Sequence, residues 1–206
     1  MKKLFLNLKK WFFGRKKQSE RQQPSVSNFN KIEDAPISAE YVFEIEENDK
    51  QCEKEVYFID DSDLIAKFEF SATARNRGID NTAPENVREN IRALNKNILF
   101  PFSKKTGFKK TITSGFRNAE VNAAVGGART SQHTTGQAVD FRCYDANGRR
   151  VPVLKMARMW KSLKLPFDQM ILYGTFLHLS FVDTERLGGK NRRQVIYHNT
   201  HTGGKL

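Results

Sequence analysis

The residues best suited to chemistry lie in Ser131-Gln132-His133-Thr134-Thr135-Gly136-Gln137-Ala138-Val139-Asp140. A histidine and an aspartate stand seven positions apart across a turn containing Gly136, and Asp140 sits in an apolar run between Val139 and Phe141. A carboxylate there needs a partner, because burying an unpaired charge is very costly. Imidazole and carboxylate are both zinc ligands. A third candidate is His178, in Phe176-Leu177-His178-Leu179-Ser180. Strand alternation puts His178 on one face with Phe176 and Ser180, and Leu177, Leu179 and Phe181 on the other. Two histidines and one aspartate would leave a fourth zinc position for water, as a catalytic site requires. Each residue also has an ordinary alternative. A strand histidine is more often packed or hydrogen-bonded than metal-bound, and Asp140 could accept from Arg117 or Arg142. His198 and His201 form an i, i+3 pair in a polar, Gly-containing stretch and read as tail residues.

The elements that must position these groups follow from patterning. Thr82-Ala83-Pro84-Glu85 reads as a capping box with Pro in the first turn. Behind it Val87, Ile91, Leu94 and Ile98 form a helical stripe. Lys110–Ser114 reads as a strand, and Ala119–Val125 as a short helix stopped by Gly126-Gly127. Gln137–Cys143 alternates as a strand, with a turn at Asp145-Ala146-Asn147-Gly148. Pro152–Leu163 reads as a helix with an apolar stripe. Asp168–Leu172 and Phe176–Val182 read as two strands of a hairpin around Tyr173-Gly174-Thr175. Helices come first and strands cluster late without regular βαβ alternation. The expected class is α+β, an antiparallel sheet with helices packed on it.

Ser131, His133, Gly136, Ala138 and Asp140 match Ser-x-His-x-x-Gly-x-Ala-x-Asp. This resembles the signature of the zinc D-Ala-D-Ala peptidases, a family that extends to phage wall-lysing peptidases and the Hedgehog signalling domain. Ser114-Gly115-Phe116-Arg117, Asn122 and Gly126-Gly127 are similar to the family's upstream run, and Phe176–Ser180 to its third-ligand strand. Ser71, Thr73, Ala74, Gly78-Ile79, Asn81 and Pro84, together with Arg192-Arg193-Gln194-Val195, resemble its phage and bacterial carboxypeptidase branch. The likeness spans about residues 68–197. It implies a Hedgehog/D,D-peptidase-like fold and Zn2+ held by His133, Asp140 and His178. It further implies Arg117 at the scissile carbonyl, and Ser131 and Ser114 near the substrate, a peptidoglycan stem peptide. Ser131 could instead orient His133. One position departs: the general-base Glu expected about six residues before the third ligand is Leu172, and the alternative position, three residues before it, is Thr175. Asp168 is the nearest upstream acid. The resemblance therefore supports a zinc carboxypeptidase or endopeptidase. Its rival is a zinc-binding domain of the same fold that holds wall peptide or a protein partner without cleaving it.

The whole-chain composition sets the outer limits. In 206 residues, 38% are hydrophobic and 28% charged, with 16 Phe, which excludes wholesale disorder. Two cysteines, Cys52 and Cys143, exclude a disulfide scaffold or a four-cysteine zinc site. No run of eighteen uncharged apolar residues occurs. The net charge of +12 is uneven: residues 1–32 carry nine Lys/Arg against one acid, and residues 33–63 twelve acids against two Lys. A basic body attracts polyanions, but no nucleic-acid motif is present and no specific nucleic-acid partner is expected.

Within residues 1–17, Leu4, Leu8, Trp11 and Phe12 share a helical face among seven Lys/Arg. That pattern suits an interfacial helix contacting anionic membrane, or else a plain basic tail. Asn7, Lys9 and Lys10 interrupt the apolar run, and no secretory signal is clear. An enzyme acting on the wall would then be phage-encoded, carried by a virion or released at lysis, or membrane-peripheral. The expected organisation is a basic segment at 1–17, a linker at 18–32 and an acidic segment at 33–66, where the runs at 41–45 and 56–59 could form one or two short strands and the segment could equally dock on the basic body or stay loose. A zinc peptidase domain at 67–198 and a flexible tail at 199–206 follow.

Overall fold

Residues 61–206 are described by a computed structural model. The expectations for residues 1–60, including the amphipathic segment, the linker and the strands near 41–45 and 56–59, lie outside the described residues. The described residues belong to one compact unit.

Helix α1 (Asp61–Glu69) carries Asp61 and Asp63 in its first turn and Lys67 in its last, which complements the helix dipole. It buries Leu64, Ile65 and Phe68. The expected boundary at 66/67 therefore cuts through α1, whose apolar side belongs to the core of the following domain. Helix α2 (Ala72–Arg77) is capped by Ser71, whose side chain accepts from the Ala74 N–H at 3.2 Å, and by Gly78 in the left-handed region. Helix α3 (Glu85–Leu94) runs through a π segment (Asn95–Leu99) into α4 (Phe100–Thr106). Pro101, in the first turn of α4, cannot donate to the preceding turn. The Phe100 N–H instead reaches Asn95 O, and the wider turn rotates Ile98, Leu99 and Phe102 into the core.

The expected capping box is not formed. Pro84 occupies the N-cap without a side-chain hydrogen bond, and the Thr82 hydroxyl donates to Asp80 Oδ1 at 2.6 Å. Glu69 takes over the capping work from another helix: its Oε1 accepts from the Ala83 N–H and from Arg88.

The remaining elements are β1 (Lys109–Ser114), α5 (Ala119–Ala124), a 3-10 turn (Gln132–Thr135), β2 (Ala138–Tyr144) and α6 (Val153–Ser162). They continue with β3 (Gln169–Leu172), β4 (Leu177–Ser180), α7 (Thr184–Leu187) and β5 (Gln194–Tyr197). The sheet order is β1-β2-β4-β3-β5. Three pairings are antiparallel, but β5 runs parallel to β3. The expected antiparallel sheet is thus corrected to a mixed one. A parallel neighbour requires the chain to return to the end where β3 begins; β4 makes that return, and residues 181–193, with α7, pass the end of β3 to reach β5.

One sheet face is apolar. Val139, Phe141 and Cys143 of β2, Leu177 and Leu179 of β4, and Met170 and Leu172 of β3 are buried with Ile91, Leu94, Phe102, Met156 and Trp160. Phe102 stacks on Trp160 at 4.6 Å. Residues 199–206, expected to be a flexible tail, lie against this body. The Thr200 hydroxyl accepts from the Gly174 N–H, the Leu206 N–H donates to the Tyr197 hydroxyl, and Leu206 packs on the core. No described helix is long and apolar enough to cross a membrane.

Candidate metal centre

The opposite face of the sheet holds the polar residues. In β2 the alternation that buries Val139 and Phe141 turns Asp140 to the other side, and β4 does the same for His178 between Leu177 and Leu179. Asp140 and His178 are register partners across β2 and β4, so their side chains meet on one face. Ser114 is the register partner of Asp140 on the other side. A shift between Ile112 and Ser114 permits this, one bulged residue changing the face that follows. The Thr113 hydroxyl donates to Asp140 O and holds the bulge.

His133 arrives from the 3-10 turn. Ser131 caps that turn, its hydroxyl accepting from the His133 N–H at 3.4 Å, and Gly136 ends it at φ 69°. A Cβ on Gly136 would meet Val87 O at 2.7 Å, so glycine is required twice over. The Arg117 N–H donates to His133 O. His133 Nδ1 donates to Gly115 O at 2.6 Å, which fixes the tautomer and leaves Nε2 free for the cluster. Gly115 is itself wedged against Phe68, where a Cβ would meet the Phe68 backbone at 2.6 Å.

Three donor atoms converge. His133 Nε2 lies 3.3 Å from His178 Nδ1 and 3.4 Å from Asp140 Oδ1, and His178 Nδ1 lies 2.8 Å from Asp140 Oδ1. Metal–ligand bonds of about 2.0–2.1 Å in tetrahedral geometry put ligand atoms about 3.3 Å apart. The His-Asp-His group could therefore hold a metal ion with little rearrangement. Electrostatics agree. Burial lowers the pKa of His133, opposed in part by the Asp140 hydrogen bond, so the imidazole stays neutral. Burial opposes ionisation of Asp140 as well. The neighbouring imidazoles of His133 and His178 outweigh it, and the carboxyl titrates well below its ordinary range. A neutral imidazole and an ionised carboxylate are the ligand forms a metal requires.

Arg117 sits beside this group, and its charge bears on both Asp140 and His133. Its Nε is buried without a hydrogen-bond partner among the described residues. Burial pulls its pKa down, though an arginine remains charged at any ordinary pH. An orphaned guanidinium N–H beside a donor cluster is a group set to receive an oxygen.

The hairpin differs from the expectation. Leu172 is fully buried on the apolar face and is the register partner of Leu177, whereas Ile171 is the partner of His178. Position 172 therefore cannot present a base to the donor cluster. Asp168 is also committed elsewhere: it is 2% exposed and accepts from the Arg192 backbone N–H, the Arg192 guanidinium and Gln132 Nε2. Burial works against its ionisation, but the Arg192 and Gln132 hydrogen bonds prevail and hold the carboxyl below its usual range.

His198 and His201 remain apart from the donor cluster and stack on Tyr173 and Tyr197 respectively. Sequence reasoning quotes Gly115, Gln132 and Tyr173 but gives them no role. Gly115 and Gln132 stand within the quoted motifs, and only the folded chain reveals what their carbonyl and amide groups touch.

No curated protein matches the chain. Among solved structures, the L-Ala D-Glu endopeptidase of Serratia marcescens is similar over 50% of this chain and 91% of its own, with 15% identity and a TM-score of 0.31. Residues 64–180, more than half of the sequence, match the family described as Peptidase M15. That span runs from the first buried residue of α1 to the last residue of β4 and includes His133, Asp140, His178 and Arg117. The chain belongs to the M15 peptidase family.

Proposed function

We propose that this chain is a zinc metallopeptidase that hydrolyses D-Ala-D-Ala-type amide bonds in peptidoglycan stem peptides, as a carboxypeptidase or endopeptidase. The observation that carries the reading is the convergence of His133 Nε2, Asp140 Oδ1 and His178 Nδ1 within 3.4 Å, with Arg117 beside them, its buried Nε unpaired among the described residues. These three atoms would hold Zn2+. Bound there, zinc supplies Lewis acidity toward the scissile carbonyl and lowers the pKa of a water molecule. Arg117 donates to the carbonyl oxygen as negative charge develops on it, in a site where burial strengthens the interaction. Ser131 keeps the turn that aims His133, and Ser114, beside Asp140 on the same face, contacts the bound peptide. The His133–Gly115 bond keeps Nε2 aimed at the ligand position throughout.

A second reading has its own support. No carboxylate occurs between Asp168 and Asp183, and Asp168 is engaged by Arg192. A domain so equipped could bind wall peptide without cleaving it. One experiment separates the two readings: zinc-loaded protein is incubated with a stem pentapeptide and the products are resolved by mass spectrometry. Release of the terminal D-Ala supports the carboxypeptidase, and an internal cut the endopeptidase. Binding by calorimetry without cleavage supports the second reading. Absence of zinc, binding and cleavage overturns both.

A further inference from the structure

We propose that Tyr173 is a further catalytic residue, its hydroxyl donating a hydrogen bond to the oxygen of the amide being cleaved, beside Arg117. This rests on the hydrolytic reading above.

The placement follows from register. Ile171 is the partner of His178 across β3 and β4, and alternation puts residue 173 on the same face as Ile171, turned away from the core face of Met170 and Leu172. Pairing continues for one residue beyond the strands, since the Tyr173 N–H donates to Phe176 O at 3.2 Å. Tyr173 is therefore held at the end of the hairpin on the face that carries the donor cluster.

Its ring is fixed. Phe176 stacks on it at 4.3 Å and 17°, and His198 lies against it at 4.2 Å and 32°. Two rings at such distances cover opposite faces, so Tyr173 is held between them and its ring plane is set. His198 is anchored in turn: its N–H donates to Leu172 O, and its Nδ1 is paired with the Thr200 hydroxyl. The turn itself is pinned through Thr175 O, which accepts from Arg142 at 3.1 Å and from Arg150. A preorganised donor needs no reorientation as charge develops, and that is the condition for useful oxyanion stabilisation.

The electrostatics agree with the placement that the register gives. Tyr173 feels both Asp140 and Arg117, the ligand carboxylate and the oxyanion arginine. Burial, then Asp140, raises its pKa while Arg117 opposes them, so the phenol keeps its proton at neutral pH. A protonated phenol can donate but cannot serve as a base, and this selects the donor role. No proton is transferred to or from Tyr173 in the step.

The decisive variant is Tyr173→Phe, which keeps the ring stack and removes only the oxygen. Zinc content, thermal midpoint and KM for the stem pentapeptide should match wild type, while kcat falls about 100-fold. A phosphinate analogue of the scissile amide, whose tetrahedral oxygens mimic the charged intermediate, should bind about 100-fold more weakly by calorimetry, with binding of the cleaved peptide unchanged. His198→Ala, which removes one stacking ring, should lower kcat by a smaller factor. If wild type turns over and Tyr173→Phe retains its kcat and phosphinate affinity, the Tyr173 role is overturned and the peptidase reading stands. If zinc-loaded wild type cleaves no stem peptide, both fall together.

Discussion

Asp140 is a half-buried carboxylate whose charge is tolerated because two imidazoles adjoin it, and the same arrangement predisposes it to bind a cation. His133→Ala, Asp140→Ala and His178→Ala should each lose most of the bound zinc when measured by elemental analysis. His198→Ala and His201→Ala should retain it, because those rings serve the Tyr173 and Tyr197 stacks. Arg117→Ala should keep its zinc and slow turnover by about 100- to 1,000-fold. Lysine at 117 should restore little, since a point charge lacks the planar fork. Leu172 gives the opposite kind of test. A carboxylate introduced by Leu172→Glu would enter the hydrophobic core beside Leu177 and Met170. It should destabilise the fold by roughly 3 kcal/mol or more in urea unfolding, with no gain in peptidase activity.

The 3-10 turn bearing His133 is short, and much of its rigidity comes from elsewhere in the chain. Gln132 donates to Asp168 and accepts from Arg192, so the turn, the start of β3 and the approach to β5 are tied together. Arg192 is half exposed while Asp168 is not, so solvent weakens the pair on one side only. Asp168→Asn should cost about 1–2 kcal/mol at pH 7, after allowance for that exposure. The folded-state pKa of Asp168 is depressed, so its contribution is present above the unfolded value of about 4 and is lost as pH falls through the folded one. The stability gap between wild type and Asp168→Asn should therefore be full at pH 7 and shrink steadily below about pH 4, as followed by urea titrations of metal-free protein. A gap that is constant with pH would mean that the charge of Asp168 contributes nothing.

At the scale of the whole molecule, the described domain begins with α1. Removal of residues 1–60 should leave a cooperatively folding, zinc-binding protein. Removal of residues 1–70 takes Leu64, Ile65 and Phe68 from the core, and also Phe68 O, which accepts from Phe116 N beside Gly115. That longer truncation should abolish cooperative thermal unfolding. Residues 1–17 are expected to bind anionic vesicles in a salt-dependent manner, since screening weakens the Lys/Arg term. Their removal should abolish sedimentation with vesicles while zinc content stays unchanged.

The sequence by itself determined the types of α3, β1, α5, β2, α6, β3 and β4, and it pointed to the residues proposed to do the chemistry. Alternation in 138–144 and 177–180 is a period that reports which side chains leave the core, and it singled out Asp140 and His178 before any pairing was known. His133 was legible through its spacing to Asp140 around Gly136, together with the motif that joins them. What only the tertiary structure decided were relations between distant segments, because periodicity carries no information about register or partner. It placed Ile171 rather than Leu172 opposite His178, a one-residue difference that exchanges the two faces of a strand. It added β5 in parallel, bound Asp168 to Arg192, and let Glu69 of one helix cap another where Pro84 displaced the local box. It also set His133 Nδ1 on Gly115 O and clamped Tyr173 between Phe176 and His198. Each of these depends on where backbone groups from far along the chain come to rest, and that is fixed by packing the whole apolar core rather than by any local run of residues.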